Sequence, residues 1–387
     1  MKTIIFLALL LSNISLFSQD SEIGKLDTLF KENKFDEILT IKTKLNEETL
    51  TANSLYIIGI AYFDRKSYHE AIEYFDKAIK KGPEESKMYY FLIQSFKHLK
   101  QFDKALTLTE EVLIKYPEKR SYPTEKAEIL FELGKNEEAV KVLEESIGNN
   151  TYLGKTFYIL SDYYYEKADH KRALEILYSG KNKIEKDDEH YGAITYNIYL
   201  IEYESGEYLK SKIQILELIS NDPENYNLLP PIIQNYFALQ MYDSAVIYQK
   251  KLYEAHKNGQ LEGKLSKRYC FERFKWNDKW VHAYEDYYVP DPEKDIRFHK
   301  QVYVILDKDW NEEFTVQTEL FLTFKPGAGV IYVIGAGKYE GDEYLHQTYS
   351  TLVLKEPVDY KKLKESVLMV LDGKVDPVTQ SRSKKKK

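Results

Sequence analysis

The stretch LYIIGIAYFDRKSYHEAIEYFDKAIKKGP, residues 55–83, holds two helical patterns and a stop. Leu55, Ile58, Gly59 and Tyr62 fall on one face of a helix, because residues three and four apart are neighbours on a helix surface. Ala71, Phe75 and Ala78 do the same for a second helix, and Pro83 ends it. Lys66-Ser67-Tyr68 lies between the two. The pattern then recurs. Ala105 lies 34 residues after Ala71, and Ala139 and Ala173 follow at the same step. Pro117 lies 34 residues after Pro83. Ser211 comes 38 residues after Ala173, so four residues are inserted around 186–190. Ala245 returns to the step of 34, and Pro223 closes another unit.

Two antiparallel helices and a short turn need about 34 residues, and a small residue lets the helices approach closely. Gly134-Lys135-Asn136 and Gly206-Glu207-Tyr208 are further turns. Phe35-Asp36-Glu37-Ile38 echoes Phe102-Asp103-Lys104-Ala105 and marks a divergent first hairpin at 21–50. Units then follow near 52–85, 86–119, 120–153, 154–190, 192–225 and 226–259. These residues closely resemble the tetratricopeptide repeat. The resemblance implies a mainly α fold: a right-handed α-solenoid of about seven hairpins over residues 21–259. Pro123, Gly180, Thr109 and Gln249 depart from the family pattern.

The family's repeats carry no chemistry of their own, and their groove, lined by the first helix of each pair, binds a protein or peptide. By resemblance, the residue after the large helix A position faces that groove. In this chain the register gives Tyr56, Tyr90, Thr124, Tyr158, Tyr196 and Pro230. Two helical turns on lie Phe63, Lys97, Phe131, Tyr165, Tyr203 and Phe237. From these, Tyr56, Phe63, Tyr90, Lys97, Phe131, Tyr158, Tyr165, Tyr196, Tyr203 and Phe237 form the candidate partner-binding ladder. Packing between neighbouring helices is the competing role for the same rings. The next residues, Asp64, His98, Glu132, Glu166, Glu204 and Ala238, make a mostly acidic rim. Such a rim favours a basic or neutral partner. The family's chaperone-binding members use Lys, Arg and Asn there, and that set is missing.

After residue 259 the period stops, and Gly259, Glu262 and Gly263 mark a linker. Residues 264–375 then read as a small α+β domain of five or six antiparallel strands and one helix. Tyr269–Phe274 and Trp280–Tyr288 form a hairpin. Phe314, Val316, Thr318, Leu320, Leu322 and Phe324 alternate with mostly polar residues, as in a strand with one face buried. Val330–Ala336 and Tyr344–Leu354 flank a turn at Glu340-Gly341-Asp342. Pro357 opens a helix with Leu363, Val367 and Leu371 on one face.

Lys2 and the apolar run Ile4–Leu11 make residues 1–18 a secretory signal peptide, with no cysteine after it for lipid attachment. The chain is therefore expected to be exported, periplasmic or secreted, and not membrane-spanning. The net charge of −7 gives no broad basic surface for nucleic acid. The lone Cys270 excludes an internal disulfide. Gly335-Ala336-Gly337-Lys338 lacks the Ser or Thr of a phosphate loop. His282 and Glu285 would point to opposite sides of a strand. Residues 376–387 form a basic tail, expected to be disordered. No cofactor, metal or catalytic residue is expected, and the oligomeric state is open. The reading is a non-enzymatic exported adaptor that binds a partner protein or peptide in the groove. Its alternative is a glycan- or peptide-fragment-binding protein that uses the aromatic ladder. A third reading is an enzyme housed in the carboxy-terminal domain. The surplus of tyrosine, 34 against 18 Phe and 3 Trp, suits either a wet or a buried ladder, because a tyrosine can bury its ring and keep its hydroxyl in water.

Overall fold

The computed structural model describes residues 22–82, 85–287, 289–291, 296–323, 330–340, 343–354 and 359–375. The expected signal peptide, Pro83, the turn at 341–342, Pro357 and the basic tail lie outside them. The helices fall in pairs. They are α1 (22–31) with α2 (Phe35–Lys42), α3 (Ala52–Asp64) with α4 (Tyr68–Lys81), and α5 (Ser86–His98) with α6 (Phe102–Lys115). Then come α7 (Ser121–Glu132) with α8 (Asn136–Gly148), and α9 (Gly154–Glu166) with α10 (His170–Lys183). Last are α11 (Tyr191–Glu204) with α12 (Tyr208–Asn221), and α13 (Leu229–Ala238) with α14 (Tyr242–Lys257). The fold is mainly α, and these hairpins precede one antiparallel sheet.

Each hairpin turns at a residue with positive φ: Asn33, Lys66, Lys100, Gly134, Ala168, Gly206 and Gln240. From Lys66 to Ala168 they recur at the repeat's own step. Their amides close the same pattern each time. Lys100 N–H donates to Lys97 O at 2.9 Å, and Gln101 N–H donates to Phe96 O at 2.9 Å. This left-handed cap satisfies carbonyls that the helix end would orphan. The small positions are filled tightly. Ala71, Ala105, Ala139, Ala173, Ser211 and Ala245 are fully buried. A Cβ on Gly59 would stand 2.6 Å from the Phe75 ring, and one on Gly180 would stand 2.7 Å from Phe157. The departures from the pattern have local reasons. Pro123 falls in the first turn of α7, where its missing N–H is harmless. The buried Thr109 donates back to Ala105 O at 2.7 Å.

The chain divides into two compact units, 1–191 and 192–387. In the first, each helix from α2 to α10 packs on the next. The second contains α11–α14, the sheet and α15 (Tyr360–Leu371). Its strands are β1 (Arg268–Trp276), β2 (Lys279–Asp286), β3 (Val289–Asp291), β4 (Ile296–Leu306), β5 (Glu312–Thr323), β6 (Val330–Glu340) and β7 (Glu343–Leu354). They pair antiparallel in the order β1-β2-β4-β5-β6-β7, with β3 beside β4. The change from helix to strand falls between Lys257 and Arg268, whereas the compact division falls at the end of the four-residue insertion. Packing explains this. Leu229, Ile233 and Phe237 of α13 share one core with Phe271, Val281, Tyr303, Val316 and Val367. On α15 the buried residues are Leu363, Val367 and Val370, with Leu371 packed at the edge. Strand β1 bulges between Cys270 and Glu272, and the Cys270 thiol donates to Glu272 O at 3.4 Å.

Candidate partner-binding face

In the first unit the ladder residues lie on α3, α5, α7 and α9. Tyr56 is buried, its ring 6.0 Å from Phe75 and 6.1 Å from Phe91. Phe63 is half-buried and meets Phe91, Tyr68 and His98 edge-on. Tyr90, Phe131, Tyr158 and Tyr165 are half-buried too. Their ring neighbours are Phe91, Tyr163, His190 and His170 respectively. The rings thus serve packing and exposure together, in proportions that differ from hairpin to hairpin.

Lys97 is not a ring, and its setting differs. Its Nζ lies 2.6 Å from Glu125 Oε2 and 2.8 Å from Glu128 Oε2. Lys155 Nζ reaches Glu128 Oε1 at 2.5 Å, and Gln94 Nε2 donates to Glu125 Oε2 at 2.7 Å. One polar network therefore ties α5, α7 and α9. Burial pulls the Lys97 ammonium down, but Glu125 and Glu128 outweigh it and hold it above the ordinary lysine range. Burial likewise raises Glu128, and its bonds to Lys155 and Lys97 bring it below the ordinary carboxylate range. Thr124 and Thr156 join their hydroxyls at 2.8 Å beside this network. Sequence reasoning singled out Lys97 and missed its partners. The signal was available, since Glu125 directly follows a ladder position and Glu128 is one turn on. The rim carboxylates Asp64, Glu132 and Glu166 are exposed.

In the second unit the same register is covered. Tyr203 is fully buried and donates its hydroxyl to Arg273 O at 2.8 Å. Phe237 is buried with its ring 5.1 Å from Phe271. The rim residue Glu204 holds the Arg273 guanidinium at 3.2 Å. Gln234 Nε2 donates to Cys270 O at 3.0 Å. Strand β1 therefore lies along the ladder face of α11 and α13, bound by backbone carbonyls and one charged side chain. Tyr196, at 37% exposure, is the ladder residue left open there. Arg273 also donates its Nε–H to His282 Nε2 at 3.2 Å. Burial and the Arg273 charge push the His282 imidazole down to about 4. Across the strand, Glu285 takes a hydrogen bond from the Tyr269 hydroxyl at 3.0 Å. His282 and Glu285 thus face opposite sides of β2.

Among the described residues no group of His, Cys, Asp and Glu could hold a metal ion. No helix among them is long and apolar enough to cross a membrane. Residues 64–146 match the family model described as anaphase-promoting complex, cyclosome, subunit 3. The chain is similar to the C-terminal part of a TPR repeat-containing protein from Cytophaga hutchinsonii, at 19% identity and a TM-score of 0.43, over 53% of this chain and 80% of that one. It is also similar to a crystal structure of MamA protein, at 20% identity and a TM-score of 0.37, over 46% of this chain and 95% of that one. No curated protein matches the chain.

Proposed function

We propose that this tetratricopeptide-repeat chain is an exported, non-enzymatic adaptor whose first unit holds an extended, basic segment of a partner protein on its helix A face. Strand β1 carries the reading. In the second unit an extended segment already lies on that face, with a tyrosine hydroxyl on its carbonyl and a glutamate on its arginine. One hairpin of the first unit carries the same pair, and another carries the glutamate after a phenylalanine. Tyr165 stands at the register of Tyr203, and Glu132 and Glu166 stand at the register of Glu204. Hydroxyl-to-carbonyl bonds accept any sequence in extended form, while the carboxylates select for Arg or Lys. The signal-peptide pattern at residues 1–18 supports export.

The test is a peptide selection from a random display library on the full chain. Enrichment of Arg- or Lys-bearing sequences, lost with Glu132→Lys plus Glu166→Lys, supports the reading. A library without a basic consensus, or one indifferent to the two substitutions, refutes it.

A further inference from the structure

We infer that the outer face of α12 and α14 is a contact surface for a second copy of this chain. Both helices belong to the second unit. Each is the second helix of its pair, so the face is distinct from the ladder. It shows itself as a break in the repeat's surface chemistry. Two residues after the buried small position, the first unit places Glu73, Thr107, Lys141 and Glu175, all exposed. The second unit places Ile213 and Ile247 there, at 62% and 66% exposure. One turn before Ile213 stands Leu209, at 63% exposure. The same place in the other hairpins holds His69, Asp103, Glu137, Lys171 and Asp243.

Isoleucine is a poorer helix former than lysine or glutamate, and an aliphatic side chain left in water adds nothing to the core. Folding therefore gives no reason for these residues. Single exposed aliphatics are ordinary, but a cluster marks a contact. The two helices are neighbours. Lys212 Nζ of α12 stands 5.8 Å from the Tyr236 ring, and that ring stacks on Tyr248 of α14 at 5.7 Å. Ile213 and Ile247 adjoin these two residues in the chain.

Charge names the occupant. Beside the aliphatics Lys210, Lys250 and Lys251 are exposed, and so are Glu207, Asp243 and Glu254. The half-buried Lys212 and Glu217 add one of each sign. An acidic segment, a basic segment or an anionic bilayer would meet as many like charges as opposite ones. A copy related by a twofold axis brings the same balanced set, so lysines of one copy can stand against carboxylates of the other. Size sets the strength. Helices α12 and α14 have 14 and 16 residues. At about 1.5 Å per residue and about 10 Å of width, they offer roughly 450 Å² per copy. The roughly 900 Å² of such a pair falls short of the ~1,200 Å² of stable complexes, so the pair is transient. Its dissociation constant should lie at about 10–100 µM.

The experiment is sedimentation velocity on the full chain from about 1 to 300 µM, a range that brackets a transient pair. A concentration-dependent equilibrium of monomer and dimer is the expected result. Ile213→Glu plus Ile247→Glu should weaken it at least about tenfold, because carboxylates would be buried against apolar side chains. Circular dichroism checks that this variant folds. Should it fail to fold, Leu209→Glu replaces it, with about fivefold weaker association expected. Ile114→Glu, at an exposed aliphatic of α6, should leave association unchanged. A chain that stays monomeric across the range overturns the inference. So does association that the substituted face leaves intact, or that Ile114→Glu weakens equally. Cosedimentation with phosphatidylethanolamine–phosphatidylglycerol vesicles, abolished by the double variant, would assign the face to a lipid surface and overturn it as well.

Discussion

Tyr165 and Tyr203 occupy the same register of their hairpins, one repeat and a four-residue insertion apart. Tyr165 is half-buried beside His170, whereas Tyr203 is fully buried under β1 with its hydroxyl on a backbone carbonyl. The helix period decides which face a residue occupies. What covers that face is decided by whichever segment can satisfy it, and in the second unit the segment is part of the same chain.

This contrast can be broken most directly by truncation. Tyr203→Ala opens a cavity and strands the Arg273 carbonyl, so it should cost about 3–5 kcal/mol. Tyr165→Ala should cost about 1 kcal/mol. Urea denaturation of the two variants checks both, and equal costs would show that the two faces are covered alike.

Acid sharpens the contrast next. At pH values above the ordinary histidine value, His282 is neutral in both the folded and unfolded states. As pH falls below about 6.5 the unfolded chain takes the proton first, because the folded imidazole resists it down to about 4. Stability present above pH 6.5 is therefore lost progressively toward pH 4, by at most about 3 kcal/mol. Stability measured by denaturant at a series of pH values should show the loss, and His282→Asn should flatten it. A flat wild-type profile would mean that the imidazole is protonated in place.

A smaller effect than that of acid is expected in the polar network of the first unit. Lys97→Met leaves Glu125, 6% exposed at its side chain, and Glu128 without their shared cation. About 2 kcal/mol should be lost, because removing one partner strands the other. Thermal melts of Lys97→Met and of the double variant Lys97→Met/Glu125→Met check this. The double variant should recover part of the loss. If it does not, the network serves binding more than packing.

Much of the helical architecture was legible, because the 34-residue step rests on steric needs that recur. Ala105 and Ala139 are small since a helix lies against them. Gly180 departs from the family pattern, yet it is the position onto which the Phe157 ring folds. Five or six strands were expected and seven are present among the described residues: the longer ones were readable from alternation and the last helix from its apolar face, whereas the three-residue β3 was not. The occupied face of α11 and α13 was not readable. A strand that binds through its carbonyls leaves no side-chain signature, and Arg273 lies 69 residues from Glu204. The four-residue insertion was visible, but the junction of two compact units at that point emerges only from the core shared by α13 and the sheet. The left-handed turns were half visible. Gly134 and Gly206 advertise them, whereas Lys100 and Ala168 adopt the same conformation without a glycine.

Cys270 sits on the bulged strand with its thiol desolvated, which pushes it up to about 12. Only the thiolate attacks disulfides and oxidants, so at neutral pH this sulfur is nearly inert. A protein with one cysteine risks linking to its own copies wherever disulfides form. Here the fold itself acts as the protecting group: the same strand that closes the helical face also withholds the chain's single nucleophilic sulfur from exchange.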